Sequence, residues 1–275
     1  MTNAPDRSAN FCYRHPDRQS YILCQRCGRT ICPNCQTQAA VGVHCPECLK
    51  EARGSAPRTK PAILTAVRST NTPLVTWAII ALCVVIYILQ ILPNSAVTQT
   101  LLYYPPFTYA EPWRMITALF VHSQNSPFHI LFNMYSLFVF GPILERQLGR
   151  LRFLALYLIS GFGGSVAVLL ISPQSAVVGA SGAIFGLLGA YFVIQRRLGG
   201  NNVQLVIVIG LNLVIGFVIP GIAWVAHVGG FIAGAAVALV YLRTRRAEQK
   251  ALQAMLVTGI VIALIALTLL RLFVI

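Results

Sequence analysis

Acidic residues are scarce in this chain: 7 Asp and Glu among 275 residues, against 21 Lys and Arg. None of the seven lies deep in an apolar run. That excludes a carboxylate pair as an intramembrane catalyst, and it removes the usual orienting partner of a histidine base. Charge of either sign is low, at 10% of residues, while 56% are hydrophobic and mean hydropathy is +0.70. A soluble domain of this length needs far more charge to cover its surface. No internal repeat of the kind that marks many transporters is present. Nine of the 21 Lys and Arg fall in residues 1–60, but no basic-aromatic motif accompanies them, so nucleic acid is not read as a partner. The same 60 residues are polar and cysteine-rich and do not read as a cleavable signal peptide.

What the chain does have is apolar runs of about 20 residues, long enough to cross a hydrocarbon core as helices. Seven are expected, at about 73–92, 126–145, 153–172, 179–195, 203–219, 222–242 and 253–274. Basic residues cluster in alternate connections. Arg146, Arg150 and Arg152 follow span two, Arg196 and Arg197 follow span four, and Arg243, Arg245, Arg246 and Lys250 follow span six. The opposite connections carry only Arg114. The positive-inside rule then places the N-terminus in the cytoplasm and the C-terminus outside, and Arg58, Lys60 and Arg68 before span one agree. The net charge of +14 thus reports topology and attraction to anionic lipid.

Three segments precede or make up this membrane domain: a cysteine module at 1–50, a linker at 51–72 rich in Pro, Ser, Thr and basic residues, and the spans themselves. The module contains Cys12-x2-His15, Cys24-x2-Cys27, Cys32-x2-Cys35 and Cys45-x2-Cys48. A two-residue gap lets both side chains of a pair turn toward one ion, and four pairs supply ligands for two tetrahedral zinc sites. Disulfides are the alternative, but a cytoplasmic segment keeps its thiols reduced. Fifty residues cannot build a sufficient core alone, so metal is expected to hold this fold. Cys83, in span one, is left over, and His44 is a spare candidate ligand. The Cys-x2-His start resembles B-box-type zinc fingers, although Cys45 and Cys48 stand where that family usually has histidines. The resemblance implies that pairs one and three share one ion and pairs two and four the other. The short Cys27–Cys32 separation suits that arrangement. Closed sites of this kind read as structural or protein-binding, which leaves the module free to recruit a cytoplasmic protein partner.

Polar groups inside spans are expensive and are candidates for function. His129 and Asn133 lie in span two, Ser181 begins span four, and His227 lies in span six; Glu145, ending span two, reads as interfacial. Spans two, four and six run in the same direction. His129, Ser181 and His227 then fall within roughly 10 Å of one depth near the outer face. His129 and Asn133 share a helix face at i, i+4, as do Ser181 and Phe185. Gly182, Gly186 and Gly189 on span four, with Gly230 and Gly234 on span six, let two backbones approach closely and bring His227 to Ser181. A serine hydroxyl needs a base to become a nucleophile. With no carboxylate at hand, the expectation is a Ser181–His227 dyad, with Phe185 holding the imidazole by packing. His129, Asn133 and the Ser181 backbone N–H would receive the oxyanion. A serine in a glycine-rich membrane helix is otherwise packing glue, and an isolated histidine a relay; their agreement in depth argues for chemistry.

Gly179-Ala180-Ser181-Gly182, Ala226-His227-x2-Gly230-x3-Gly234, His129-x3-Asn133 and Trp113-Arg114 together resemble the rhomboid family of intramembrane serine proteases, in order and spacing over about 73–245. The fold the resemblance implies is an all-α polytopic membrane protein. A six-helix rhomboid-like core (73–245) carries a seventh transmembrane helix (246–275) and follows a small cytoplasmic zinc-binding domain. The activity it implies is cleavage of a peptide bond in or near the end of a substrate protein's transmembrane helix. Ser181 is then the nucleophile, His227 the base, His129 and Asn133 part of the oxyanion hole, Gly179 part of the GxSG motif, and Phe185 the aromatic that packs on His227. No cofactor is expected for catalysis. Residues 93–125 would form the first external loop, with Trp113 and Arg114 structural in a partly inserted interfacial element, the Trp113 ring at headgroup level, and His122 a packing residue. The compact loops and the resemblance point to a bacterial plasma membrane. The competing expectation is an inactive adaptor or chaperone that binds membrane helices, but such relatives lack the serine or histidine that this chain keeps.

Overall fold

The computed structural model describes residues 10–39, 42–55, 72–199, 203–218 and 222–274. Two compact units divide the chain, Met1–Thr65 and Ala66–Ile275. Most of the predicted linker, 56–71, lies outside the described residues, as do Arg58, Lys60 and Arg68.

In the first unit, β1 (Phe11–Cys12) pairs antiparallel with β2 (His15–Gln19), and β3 (Thr37–Gln38) with β4 (Val43–His44). Helix α1 (Pro46–Ser55) closes it. Residues 51–55, expected to begin the linker, instead continue this helix, because Glu51, Ala52 and Arg53 are good helix formers placed directly after its first turns. The buried apolar cluster consists of six cysteines and Ile31.

The second unit is helical. Its long elements are α2 (Leu74–Gln90), α5 (Pro127–Leu148), α6 (Arg150–Ile171), α7 (Ser181–Arg197), α8 (Val203–Val218), α9 (Trp224–Arg243) and α10 (Lys250–Val274). The short helices α3 (Val97–Leu101) and α4 (Arg114–Thr117) lie between α2 and α5. Each expected span has its helix. Three of them, α2, α7 and α8, are only 16–17 residues long, or about 24–26 Å at 1.5 Å per residue, near the lower limit for crossing a bilayer. Four are long and apolar enough to span by length and composition alone: α5, α6, α9 and the segment Ala247–Phe273, which holds all of α10 but its last residue. This is an integral membrane protein of all-α class.

Helix α7 is buried along most of its length, with α6 and α9 packed on it. The packing is backbone against backbone. A Cβ added at Gly230 would collide with the Gly182 carbonyl oxygen, and one at Gly234 with that of Gly186. At Gly189 it would lie 2.5 Å from the Phe231 carbonyl oxygen. Small residues on facing helices allow this approach, and dispersion between the backbones holds it. Helix α6 joins in the same way, since a Cβ at Gly229 would stand 2.6 Å from the Gly163 carbonyl oxygen. The seventh helix, α10, contacts the core by one stripe containing Val257, Val261 and Leu264. Gln253 ties its start to Thr244, donating to the Thr244 carbonyl oxygen at 2.9 Å and to Oγ1 at 2.8 Å.

Two polar residues are buried and bonded within the protein. Glu145 is 2% exposed. Its carboxylate accepts hydrogen bonds from the Val75 N–H (2.9 Å), the Thr76 N–H (2.7 Å) and Thr76 Oγ1 (2.7 Å). It caps the N-terminus of α2, whose first N–H groups have no intrahelical acceptor and whose dipole favours a negative charge. Arg114 is likewise buried. It pairs with Glu111, donates to the carbonyls of Gln99 and Leu102, and lies over the Phe107 ring, which fixes the external loop. Trp113 beside it is exposed.

Candidate active site

Ser181 is the first residue of α7. The turn that delivers it depends on Gly179, whose φ of +118° lies where L side chains are strained. A Cβ at Gly179 would also stand 2.8 Å from both Cε1 and Nε2 of His129. The approach strand is pinned from the external loop. Tyr103 and Val177 exchange backbone hydrogen bonds at 3.1 and 2.8 Å, and the Gly179 N–H donates to the Ala118 carbonyl at 2.9 Å. The loop read as merely structural therefore sets the position of the serine.

His227 is the fourth residue of α9, and its Nε2 lies 2.9 Å from Ser181 Oγ. The Phe185 ring stacks on the imidazole, with centroids 4.2 Å apart and planes 5° from parallel. To accept the serine proton at Nε2, a neutral imidazole must carry its own hydrogen on Nδ1. That nitrogen is buried with no hydrogen-bond partner among the described residues. Gly216 of α8 lies beside it, and a Cβ there would be 3.5 Å away. Stacking by Phe185, rather than a carboxylate, holds the ring.

His129 enters from the first turn of α5. Its Nδ1 accepts the Ser123 backbone N–H at 3.1 Å, so the neutral ring carries its hydrogen on Nε2. Nε2 is the nitrogen that a Gly179 Cβ would strike, so the donor faces the turn that carries Ser181. Asn133, 6% exposed, donates from Nδ2 to the His129 carbonyl at 2.7 Å. One of its two amide hydrogens is thus spent within its own helix, leaving one as a donor. His122 is fully buried, with its ring 5.4 Å from that of His129 and neither ring nitrogen bonded among the described residues. A cavity of about 20 Å³ touches Ser181, Gly179, Gly182 and Ser165, room for about one water molecule or a methyl group. Ser123, Gly216 and the Tyr103–Val177 bridge carry no sequence signal of their own; only the fold brings them to the site.

Residues 109–244 match the family model described as Rhomboid domain. The chain belongs to the rhomboid family. Ser181, His227, His129 and Asn133 all fall inside the matched region, whereas the cysteine module and α10 fall outside it. The chain is similar to RHOMBOID-like protein 1 of Arabidopsis thaliana, 39% identical over 139 residues that cover 48% of this chain and 35% of that protein. It is 37% identical over 139 residues to the mitochondrial RHOMBOID-like protein 6 of the same plant, covering 48% of this chain and 44% of the relative. With the rhomboid protease GluP of Bacillus subtilis it shares 34% identity over 180 residues, 62% of this chain and 35% of GluP. The chain therefore spans less than half the length of each of these relatives.

Outside the rhomboid domain, the Cys and His side chains of the first unit gather into two groups. Cys12, His15, Cys32 and Cys35 form one; Cys24, Cys27, Cys45 and Cys48 form the other. The donor atoms of each group lie within 4.8 Å of one another. His15 Nδ1 is 3.7 Å from Cys12 Sγ, 3.4 Å from Cys32 Sγ and 3.3 Å from Cys35 Sγ, and Cys27 Sγ is 3.8 Å from Cys45 Sγ. Zinc–sulfur bonds of ~2.3 Å in a tetrahedron give edges of about 3.8 Å, so the spacing fits the ion. All the cysteines are free thiols. Burial opposes the Cys24 thiolate, but backbone hydrogen bonds from Cys45, Arg26 and Cys27 bring its pKa down to about 6. Cys48 goes the other way, raised to about 12 by burial and then by neighbouring thiols. Several thiolates cannot share so small a volume without a cation. His44 lies in β4 and belongs to neither group.

Proposed function

We propose that this chain is an intramembrane serine endopeptidase that cuts transmembrane or membrane-boundary segments of other membrane proteins with a Ser181–His227 dyad. The observation that carries the reading is the 2.9 Å Oγ–Nε2 contact beneath a stacked aromatic ring, with the His129 donor on the other side of the serine. Ser181 Oγ attacks the scissile carbonyl carbon while His227 Nε2 takes the hydroxyl proton. The oxyanion is received by His129 Nε2–H, the remaining Asn133 N–H and the N–H groups at the start of α7, where the helix dipole also favours negative charge. The C–N bond then breaks, and His227 returns the proton to the leaving amine. Water, activated by the same histidine, hydrolyses the acyl-enzyme and frees Ser181. The methyl-sized cavity beside Ser181 suits Gly or Ala at the cleaved bond, and Gly, a weak helix former, also lowers the cost of unwinding the segment to be cut.

The test is labelling of the folded protein by a fluorophosphonate or isocoumarin probe, alongside cleavage of a membrane-protein substrate. Labelling and cleavage that vanish in Ser181→Ala support the peptidase. A folded protein that never labels would favour the adaptor reading. We also propose that the cysteine unit holds two structural zinc ions, one per group, and faces the cytoplasm with a protein partner of its own. Arg146, Arg150, Arg196, Arg197 and Arg243 lie at the ends of α5, α6, α7 and α9 opposite the serine. On that basis the dyad opens to the outer face of a bacterial plasma membrane. Metal analysis of the purified chain, with two zinc ions expected, and protease protection of its termini check these assignments.

A further inference from the structure

An open groove of about 450 Å³ runs between α2 and α6, lined by none of the candidate active-site residues. Its lining is apolar: Leu74, Ala78 and Leu82 recur at four-residue spacing on α2 beside Val75 and Ile79, Leu154 and Leu158 recur so on α6, and Phe120 joins them. The Phe120 ring packs against Tyr157 at 6.3 Å, which anchors the Phe120 side of the groove. At its other end stands Arg150, the first residue of α6, on the same helix face as Leu154 and Leu158 by the i, i+4, i+8 rule. Arg150 Nη2 reaches the Thr72 carbonyl at 3.4 Å, two residues before α2 begins, so the guanidinium lies at the mouth of the groove. Three arginines, Arg146, Arg150 and Arg152, flank this junction. The N-terminus of α6 adds its positive dipole.

We propose that this groove holds one acyl chain of an anionic phospholipid, with the phosphate against Arg150 and the start of α6. The dimensions select the occupant. From Leu74 to Leu82 the groove is about 12 Å long at 1.5 Å per residue, less than half of a ~30 Å hydrocarbon core. It stays within one leaflet, which a spanning helix of ~10 Å diameter would overrun. An acyl chain in one leaflet matches both its length and its apolar lining. A basic cluster at the mouth, set at the membrane surface, attracts an anionic head group.

The experiment uses the full chain in detergent, with dioleoyl phosphatidylglycerol or dioleoyl phosphatidylcholine added and retained lipid counted by native mass spectrometry. Phosphatidylglycerol should be retained about fivefold more than phosphatidylcholine, the ratio expected from one basic contact. Arg150→Gln should bring its retention down to the phosphatidylcholine level. Leu82→Trp and Ala78→Phe should lower retention of both lipids; Leu82 is partly exposed, so its variant tests the groove even if the alanine variant fails to fold. Millimolar inorganic phosphate should displace nothing. Equal retention of the two lipids by wild type would overturn the proposal, as would retention indifferent to Arg150→Gln and Leu82→Trp. Displacement by free phosphate would reduce the site to an anion contact. Self-association abolished by Leu82→Trp, with no lipid preference, would show instead that a second copy covers the groove.

Discussion

Among the described residues, the buried apolar side chains of the first unit are six cysteines and Ile31, whereas the membrane unit buries leucine, valine, isoleucine and aromatic residues and presses glycine backbones together where α7 meets α9. The first arrangement concentrates its stability in eight donor atoms. The second spreads it over long faces, with the tightest points at positions that tolerate no side chain. A cluster of thiols is a poor hydrophobic core but a good ligand set, so losing the ion should remove the fold outright. A membrane bundle should tolerate loss of a catalytic atom completely and an added methyl group hardly at all. Chemistry and fold are therefore separable in one unit and inseparable in the other.

The sharpest test of that separation is at the dyad. Ser181→Ala and His227→Ala should each reduce substrate cleavage to background while the protein inserts and unfolds thermally as before. Because the two groups act as a unit, the double variant should be no slower than either single one. Measurable residual turnover in Ser181→Ala would end the assignment.

Next in size is an added side chain. Gly230→Val would drive carbon into the Gly182 carbonyl oxygen, backbone against backbone, where no rotamer offers relief. Overpacking typically costs about 1–3 kcal/mol and more when nothing can move, so most of the protein should fail to reach the folded, detergent-stable state. Gel filtration and thermal unfolding read the outcome. A well-folded and active Gly230→Val would mean that α7 and α9 are not held by close approach.

Smaller again is the loss of one oxyanion donor. Asn133→Ala should lower turnover by about 10²-fold and leave substrate affinity little changed. An effect on affinity alone would make Asn133 a substrate contact, and no effect would mean that its bond to the His129 carbonyl is its whole role.

These variants also mark what the sequence makes legible. The seven helices follow from apolar length, and the meeting of Ser181 and His227, 46 residues apart, follows from depth and glycine spacing. Pair spacing in the cysteine unit announces a ligand set. Illegible were the contacts between residues with no shared periodicity. Glu145 reads as an interfacial residue with no evident partner, and its carboxylate is found on the N-terminus of α2, about 70 residues earlier. Arg114 reads as structural, but its partners, the Gln99 and Leu102 carbonyls, are found only once the external loop is folded. Tyr103–Val177 is a single bridge between two loops. Hydropathy reports whether a segment is buried in lipid; it carries no information on which polar group satisfies another across the fold.

The smallest expected effect on turnover comes from the largest disruption of the other unit. Treating the full chain with a zinc chelator should release two ions, expose seven thiols to alkylation and abolish the structure of residues 12–48, because for such a module binding free energy is folding free energy. Cys27, the one exposed ligand, should be modified first. Catalysis uses none of those residues. The dyad, its stacked ring and the His129 donor all lie within Ala66–Ile275, the compact unit separate from the ligand groups. Turnover in detergent should then stay within about twofold of the untreated protein, roughly 0.4 kcal/mol of barrier. Alkylation mapping and cleavage assayed on the same sample decide the matter. Parallel loss of thiol protection and turnover, restored together by zinc, would show that the metal unit holds the membrane unit in its active packing; thiols exposed with turnover intact would leave the two as independent devices on one chain.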